Sequence, residues 1–196
     1  MILAIEGPIS VTKGRILFVK RLDNNSQNKM AKECIFTSLM MLMEKNNFQE
    51  ISVTDITNKA GVSRMAYYRN YKSKEGIITN YLDELFEVYL DEVSNYEKID
   101  VYQFAYRYFV YFRKHEKLIK NLIKANLSIL ILERFDVYLH SIFKNILNNS
   151  SSEKINKYEV YYIAGGLYKV LIEWIENGLV ESDEEMAKII CSFANK

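Results

Sequence analysis

The scarcity of helix-breaking residues is the feature of this sequence that most limits how it can fold. Among 196 residues there is one proline, Pro8, and there are seven glycines. Because proline interrupts helices and glycine weakens them, a chain with so few of either has little to end its helices except short polar joints. From Lys29 onward, the sequence therefore predicts an all-α protein.

Hydrophobic periodicity and capping residues divide this part of the chain into helices joined by short polar segments. Gly61 is expected to end the second helix and Ser63 to cap the third. Ser52, with Asp55 three residues later, is a variant of the capping box and is expected to begin the second helix. The predicted helices cover residues 29–45, 53–60, 64–71, 73–95, 101–114, 116–124, 127–147, 154–177 and 183–194.

The net charge of +1 conceals an uneven distribution of charge along the chain. Residues 1–72 carry 11 Lys and Arg against 6 Asp and Glu, a balance of +5. Residues 73–196 carry 15 against 19, a balance of −4. A basic segment followed by an acidic one favours contact with nucleic acid, although ordinary scatter of surface charge gives the same pattern.

Several classes of function find no support in the sequence. No apolar run approaches the roughly 20 residues that span a bilayer, and the N-terminus lacks the pattern of a secretory signal, so we expect a cytoplasmic protein. Cys34 and Cys191 lie far apart and are expected to be free thiols. His115 and His140 are isolated, and no glycine-rich phosphate loop is present. We therefore expect no metal, no cofactor and no enzymatic activity.

Residues 1–28 differ in composition from the rest of the chain. Ile9–Val11 and Arg15–Val19 are predicted to form short β segments, and Asp23–Asn28 a polar linker. An isolated two-stranded hairpin is marginally stable in water, so we expect a poorly ordered or non-essential extension. The alternative is a basic arm that contacts DNA through Lys13, Arg15, Lys20 and Arg21.

Two short helices on either side of Gly61 form the motif that indicates a function. They are joined by Gly61-Val62-Ser63, a three-residue turn of the helix-turn-helix type. Gly61 can adopt the positive φ that the turn needs, and the small side chain of Ala60 lets the two helices approach. One face of the third helix then stays exposed and can enter the major groove of DNA.

Four elements follow one another between Ile51 and Ile78: Thr54-Asp55-Ile56, Ala60-Gly61-Val62-Ser63, Tyr68-Arg69-Asn70-Tyr71 and Lys74-Glu75-Gly76. In this order and spacing they resemble the DNA-binding domain of TetR-family transcriptional regulators. The resemblance implies a three-helix DNA-binding domain, residues 29–76, followed by a larger antiparallel helical bundle, residues 77–196, that regulates and dimerises. It also implies a homodimer on a double-stranded DNA operator and, in the commoner mode of the family, repression.

The resemblance further implies which residues contact DNA. Thr54 and Lys74 would meet phosphates at the starts of the second and fourth helices. Tyr68 and Asn70 would touch the DNA backbone from the third helix, which is the recognition helix. The candidate DNA-binding residues are Thr54, Ser63, Arg64, Met65, Ala66, Tyr68, Asn70 and Lys74.

Base recognition is expected from the start of the recognition helix. Arg64 is the best candidate for bidentate contact with guanine. Met65 and Ala66 depart from the family, in which the first position is usually small and the second usually Thr or Ser. Both departures leave the base preference open, and they allow contacts with thymine methyl groups. Tyr67 is expected to pack in the core.

The C-terminal segment is rich in tyrosine, since residues 73–196 hold 12 of the 15 tyrosines. A buried tyrosine needs a partner for its hydroxyl, so a bundle lined with tyrosines can form a pocket for an amphipathic small molecule. A tyrosine-rich core without a ligand is the alternative. The candidate pocket residues are Tyr108, Phe109, Phe112, Phe135, Tyr138, Tyr168 and Trp174.

Gly165 and Gly166 lie inside a predicted helix, where each costs about 1 kcal/mol relative to alanine. Such a cost suggests that another helix approaches closely at this point. In TetR-like proteins the last two helices form the dimer interface, so the resemblance implies interface residues here. They are Val160, Ile163, Gly166, Leu167 and Val170.

The tail also resembles the regulatory domain of TetR-like proteins that include dihydroxyacetone-kinase operon activators. Two hypotheses for control therefore remain open. In the first, a small-molecule effector in the C-terminal bundle releases or modulates a repressor. In the second, a protein partner controls the bundle, and the chain is a regulator or an activator.

Overall fold

A computed structural model describes residues 13–94, 100–147 and 156–194. All regular secondary structure in these ranges is helical, which confirms the predicted all-α class. From α2 onward the predicted helix ends lie within three residues of the observed ones. The α-helices are α1 (Lys13–Lys45), α2 (Val53–Ala60), α3 (Arg64–Asn70), α4 (Lys74–Ser94), α5 (Val101–Lys114), α6 (Glu116–Lys124), α7 (Ile129–Leu147), α8 (Lys157–Glu176) and α9 (Asp183–Ala194), and a 3-10 turn, Phe48–Glu50, lies between α1 and α2.

Helix α1 begins at Lys13 and not at Lys29, so one part of the sequence prediction is wrong. The predicted β segment Arg15–Val19 and the predicted linker Asp23–Asn28 both lie inside α1. A short apolar run does not by itself distinguish a strand from a helix, and no glycine or proline follows Gly14 to end this helix. The other predicted β segment, Ile9–Val11, lies outside the described residues.

Residues 29–76, which we call the head, pack around a small core. Ile35 and Leu39 of α1, Ile56 of α2 and Tyr67 of α3 are all fully buried there. Helix α1 contacts both α2 and α3, and α2 contacts α3. These two short helices therefore depend on α1 for most of their apolar cover.

Residues 77–194, which we call the body, hold the rest of α4 and helices α5–α9. Helix α5 packs on α9, α7 packs on α4 and α8, and α6 contacts both α8 and α1. The buried side chains form one hydrophobic cluster that runs from the head into the body. In the described ranges, no helix is both long and apolar enough to cross a membrane.

Helix α6 caps the last turn of α1. The Asn121 side-chain amide donates to the carbonyl of Met40 at 3.3 Å. The Lys124 ammonium donates to the carbonyls of Glu44 at 3.1 Å and Met43 at 3.4 Å. Because the last four carbonyls of a helix have no partner within the helix, Lys124 satisfies groups that the head leaves open, and Asn121 adds a bond to a carbonyl earlier in α1.

Candidate DNA-binding interface

Helix α2 begins at the predicted capping box. The Asp55 amide donates to Ser52 Oγ at 3.1 Å, and the Ser52 amide donates to Asp55 Oδ2 at 2.9 Å. The hydrogen bonds from the Ser52 side chain and then from its backbone lower the pKa of Asp55. Thr54, a predicted phosphate contact, lies exposed in this first turn. The capping box therefore fixes the start of α2 where Thr54 faces solvent.

Gly61 closes α2 in the left-handed conformation that the turn was predicted to need, with φ of +65°. Its amide and that of Val62 turn back to the last carbonyls of α2, and the Val62 amide reaches the carbonyl of Thr57 at 3.1 Å. A Cβ at position 61 would meet no heavy atom within 4 Å. The requirement for glycine is thus the backbone angle and not lack of space.

Helix α3 presents a face of large side chains to solvent. Ser63 caps the helix by accepting a hydrogen bond from the Ala66 amide at 3.1 Å, as predicted. Beyond it, 74% of Met65 and 54% of Tyr68 are exposed. Tyr67 is fully buried, in agreement with its predicted place in the core. Because Tyr67 faces the core, the face of α3 that carries Met65 and Tyr68 is the exposed one.

Arg64 and Tyr68 lie one turn apart on this face and contact each other. An Arg64 Nη2 atom donates to the Tyr68 hydroxyl at 3.5 Å, and the guanidinium carbon lies 5.9 Å from the ring centroid. The contact steers the guanidinium along the exposed face of α3. Because guanidinium has five donors, one long hydrogen bond leaves the others available for a nucleic-acid partner.

Ala66 and Asn70 are less exposed than their neighbours. Both are partly buried, and the Asn70 side-chain amide donates to the Ala66 carbonyl at 2.9 Å. This hydrogen bond inside the helix occupies one of the two N–H donors of the Asn70 amide. The second N–H is the donor that a contact with the DNA backbone would use.

Lys74 lies at the start of α4, where it was predicted, but its ammonium faces the protein. Nζ donates to the carbonyls of Phe48 at 2.7 Å, Ile51 at 2.6 Å and Gln49 at 3.3 Å. The three donors of a lysine are therefore all engaged. A phosphate contact through the charge of Lys74, as predicted, would have to replace these hydrogen bonds. The first-turn amides of α4 remain, although that of Gly76 donates to Ser73 Oγ at 3.1 Å.

The charge of the α2–α3 region is positive. Between residues 53 and 72 the basic side chains Lys59, Arg64, Arg69 and Lys72 are all exposed. Asp55 is the acidic residue of this stretch, and its carboxylate is occupied by Ser52. An exposed basic surface beside a protruding helix face is the electrostatic pattern expected of a DNA-binding motif.

The predicted pocket residues of the body pack largely against one another. Tyr108 lies at the centre, with its ring 4.8 Å from Phe112, 5.0 Å from Phe109 and 5.7 Å from Phe135 between centroids. Trp174 extends this group through Phe109 at 5.1 Å. Five of the seven candidates therefore form a packed aromatic cluster, which agrees with the alternative of a tyrosine-rich core.

The hydroxyls of these tyrosines find partners inside the protein. Tyr108 donates to the carbonyl of Leu167 at 3.1 Å, and burial raises the pKa of Tyr108 well above its usual range. Tyr138, which stacks on Phe86, donates to the carbonyl of Asp83 at 3.3 Å. Tyr168 bonds Ser128 Oγ at 3.0 Å. Tyr138 thus reaches the central cluster only through Phe86, and both tyrosines bond residues outside that cluster.

A groove of about 980 Å³ opens between α1 and α4, a place that sequence analysis did not indicate. The stacked rings of Phe36 and Tyr81, 3.6 Å apart between centroids, form part of its wall. The acidic side chains that line it are Glu33, Glu84, Glu87, Asp91 and Glu92. No motif marks the groove because its two walls come from helices about 50 residues apart in sequence.

The predicted dimer residues lie on the expected helix, α8, but partly on the wrong face. Val160 and Leu167 are only 3% and 5% exposed and pack inside the protomer. Ile163 and Val170 are partly buried, and Gly166 is exposed. The apolar periodicity of α8 therefore marks the face that packs in its own core, which corrects the assignment of Val160 and Leu167.

The exposed face of α8 carries tyrosines and glycines instead. Tyr158 is 66% exposed and Tyr162 is 85% exposed. Along the same face follow Gly165 and Gly166, and a Cβ on either would meet no heavy atom within 4 Å. Among the described residues of the protomer, no helix approaches these glycines closely, so this part of the structure leaves the face open to a partner.

Cys34 and Cys191 are free thiols in the structure, as expected, and both are partly buried. Among the residues that the structure describes, no group of three or more His, Cys, Asp or Glu side chains is arranged to hold a metal ion. His115 joins α5 to α6, and its burial and then Lys114 lower its pKa.

The fold is shared by solved structures of low sequence identity. Lin0861 from Listeria innocua gives a TM-score of 0.74 at 14% identity, covering 96% of this chain and 95% of its own. A TetR transcriptional regulator from Streptococcus agalactiae 2603V gives 0.62 at 14%, covering 88% and 98%. The dihydroxyacetone kinase operon activator DhaS gives 0.59 at 18%, covering 83% and 93%. At these identities the likeness establishes the fold alone.

A sequence match establishes the family. No curated protein matches this sequence significantly. A TetR family model, described as the C-terminal region of a transcriptional regulator, matches residues 99–196, which is half of the chain. Together with the helix-turn-helix at residues 53–70, this match shows that the chain belongs to the TetR family of transcriptional regulators.

Proposed function

We propose that this regulator binds operator DNA as a homodimer, with α3 as the recognition helix, and that it represses transcription until an effector acts on the body. The observation that carries the proposal is the exposed face of α3, where Arg64, Met65 and Tyr68 project from a helix fixed at both ends. Family membership supports the same function. A regulator of this kind acts where it has access to the chromosome, so the proposed location is the cytoplasm.

Operator binding can be tested without knowing the operator. The full chain is used to enrich duplexes from a random DNA library, and the enriched sequence is compared with a scrambled duplex of equal length. We expect a pseudo-palindromic sequence with half-sites about one helical turn apart. If the full chain enriches no sequence over repeated rounds, the proposal is wrong.

Arg64 is the residue proposed to read a base. Arg64→Ala should weaken binding to the enriched duplex by about tenfold and relax the preference at one position in each half-site. Arg69→Ala is the matched control, because it removes the same charge from the same helix. An equal loss on the enriched and the scrambled duplex would show that Arg64 contacts only the DNA backbone.

The exposed face of α8 is the proposed dimer surface. Large exposed aromatic side chains in one place commonly mark an interface, and the open Gly165 and Gly166 allow a second helix to approach closely. A two-fold axis at this face would place the same residues of both copies against each other. It would also set the spacing between the two recognition helices.

The dimer is tested by sedimentation of the full chain at micromolar concentration. Tyr162→Glu should give a monomer, because it places paired carboxylates at the proposed axis. Val137→Glu, which changes an apolar residue of α7 that is 60% exposed, should leave the dimer intact. A wild-type monomer, or a Tyr162→Glu dimer of wild-type stability, would contradict the assignment.

Activation is the second candidate mode. One neighbour in fold, DhaS, is a dihydroxyacetone kinase operon activator, and the packed aromatic cluster of the body is compatible with control by a protein partner. Transcription in vitro from a promoter that carries the enriched operator distinguishes the two modes. Repression lowers the transcript level, whereas activation raises it.

A small-molecule effector would change operator affinity by roughly 5–150-fold without any second protein.

A further inference from the structure

The ammonium of Lys74 lies among three main-chain carbonyls of the segment that joins α1 to α2. It donates to Phe48 and Ile51 at 2.7 and 2.6 Å and to Gln49 at 3.3 Å. It also lies 4.6 Å from the centroid of the Phe48 ring. Hydrogen bonds from a charged donor are about twice as strong as neutral ones. These three bonds, which we call the tie, therefore connect two parts of the head that are distant in sequence.

The two ends of the tie lie on either side of the helix-turn-helix. Ile51 directly precedes Ser52, the cap of α2, and Lys74 follows α3 after a short joint. Phe48 and Ile51 are each only 3% exposed, so the segment is anchored in the core. One side chain therefore connects the entry to α2 with the exit from α3.

We propose that Lys74 is a positioning residue that sets the orientation of α3 toward DNA and does not contact phosphate itself. This inference rests on the proposed operator binding. Helices α2 and α3 have eight and seven residues and are too short to hold their orientation without tertiary contacts. A phosphate that drew Nζ outward would have to replace three hydrogen bonds to main-chain carbonyls.

Two variants of Lys74 separate positioning from phosphate contact. Lys74→Met keeps the aliphatic stem beside Phe48 and removes the three donors. Lys74→Arg keeps the positive charge, but its planar fork cannot direct donors at three carbonyls as an ammonium does. Lys72→Ala is the control, because it removes an exposed charge two residues away.

The measurements are the affinities for the enriched and the scrambled duplex over a range of salt, the melting temperature, and the amide exchange of residues 48–52. We expect Lys74→Met to lower enriched-duplex affinity by about tenfold and to change scrambled-duplex affinity little. The salt slope should match the wild-type slope, the melting temperature should fall by roughly 5 °C, and exchange at residues 48–52 should increase. Lys74→Arg should restore little of the lost affinity.

Other results would overturn the inference. A salt slope reduced by about 1, with equal loss on both duplexes and full recovery in Lys74→Arg, would make Lys74 a phosphate contact. If Lys74→Met lowers the melting temperature but binds both duplexes with wild-type affinity at temperatures well below melting, these hydrogen bonds affect stability alone. If the wild type enriches no DNA, the proposed function and this inference both fail. If the wild type binds normally and Lys74→Met binds as the wild type does, only this inference is wrong.

Discussion

In the head, short helices begin and end at side chains that bond to the backbone beside them, whereas in the body longer helices are joined by aromatic rings and by hydroxyls that reach another helix. Ser52, Gly61 and Ser63 act within four residues of their own positions. The Tyr108 hydroxyl, by contrast, bonds a carbonyl 59 residues away. Local backbone geometry therefore sets the ends of the short helices in the head, whereas the bonds that join the helices of the body link residues distant in sequence.

The largest effect should come from the aromatic cluster of the body. Phe109 is fully buried between Tyr108 and Trp174, so Phe109→Ala should lower the free energy of unfolding by about 3–5 kcal/mol. Denaturant titration measures this loss. Val137→Ala, at an exposed position of α7, should change stability by no more than about 0.5 kcal/mol. A loss below about 1 kcal/mol for Phe109→Ala would mean that the cluster is loosely packed.

A smaller effect should come from the backbone of the head. Gly61→Ala forces a side chain into the left-handed region and should cost about 1 kcal/mol, although there is space for the methyl group. Gly76→Ala is the control, because Gly76 lies in α4 without positive φ and a Cβ there makes an ordinary contact with Ser73. Thermal unfolding compares the two. Equal stability of both variants would show that the turn at Gly61 is not fixed.

The effects that depend on pH should appear at opposite ends of the pH range. Burial raises the pKa of Tyr111 to about 12, so its contribution is complete below pH 10 and is lost as pH rises toward 12. The lowered pKa of Asp55 gives stability that is present above about pH 4 and is lost as pH falls through the folded pKa. Tyr111→Phe should flatten the alkaline side of the stability profile and Asp55→Asn the acid side. The assignment fails for either residue whose replacement leaves its side of the profile unchanged.

The same contrast explains how much the sequence predicted. Caps and turns act over three or four residues, so Ser52, Gly61 and Ser63 were identified and the helices from α2 onward were placed correctly. The fold class followed from the near absence of proline. The segment Arg15–Val19, with four apolar residues in a row, wrongly predicts a strand because its helical state depends on continuity with the rest of α1.

The candidate site was harder to predict where partners are distant in sequence. The position of Lys74 was predicted, but its carbonyl partners lie 23–26 residues earlier and leave no local pattern. The apolar stripe of α8 wrongly predicts an interface at Val160 and Leu167, because such a stripe does not distinguish a core face from a dimer face. Whether the aromatic residues of the body pack together or enclose a ligand likewise depends on tertiary contacts.

The capping of α1 by α6 has a consequence for how the chain unfolds. Lys124 donates to the last carbonyls of α1, Asn121 donates to the Met40 carbonyl earlier in that helix, and α1 supplies much of the apolar cover of the head. If the body lost its structure, α1 would lose the donors at its C-terminal end and the helices of the body that pack against it. Head and body should therefore melt in a single cooperative transition, and an isolated fragment of residues 29–76 should not retain the structure it has in the full chain.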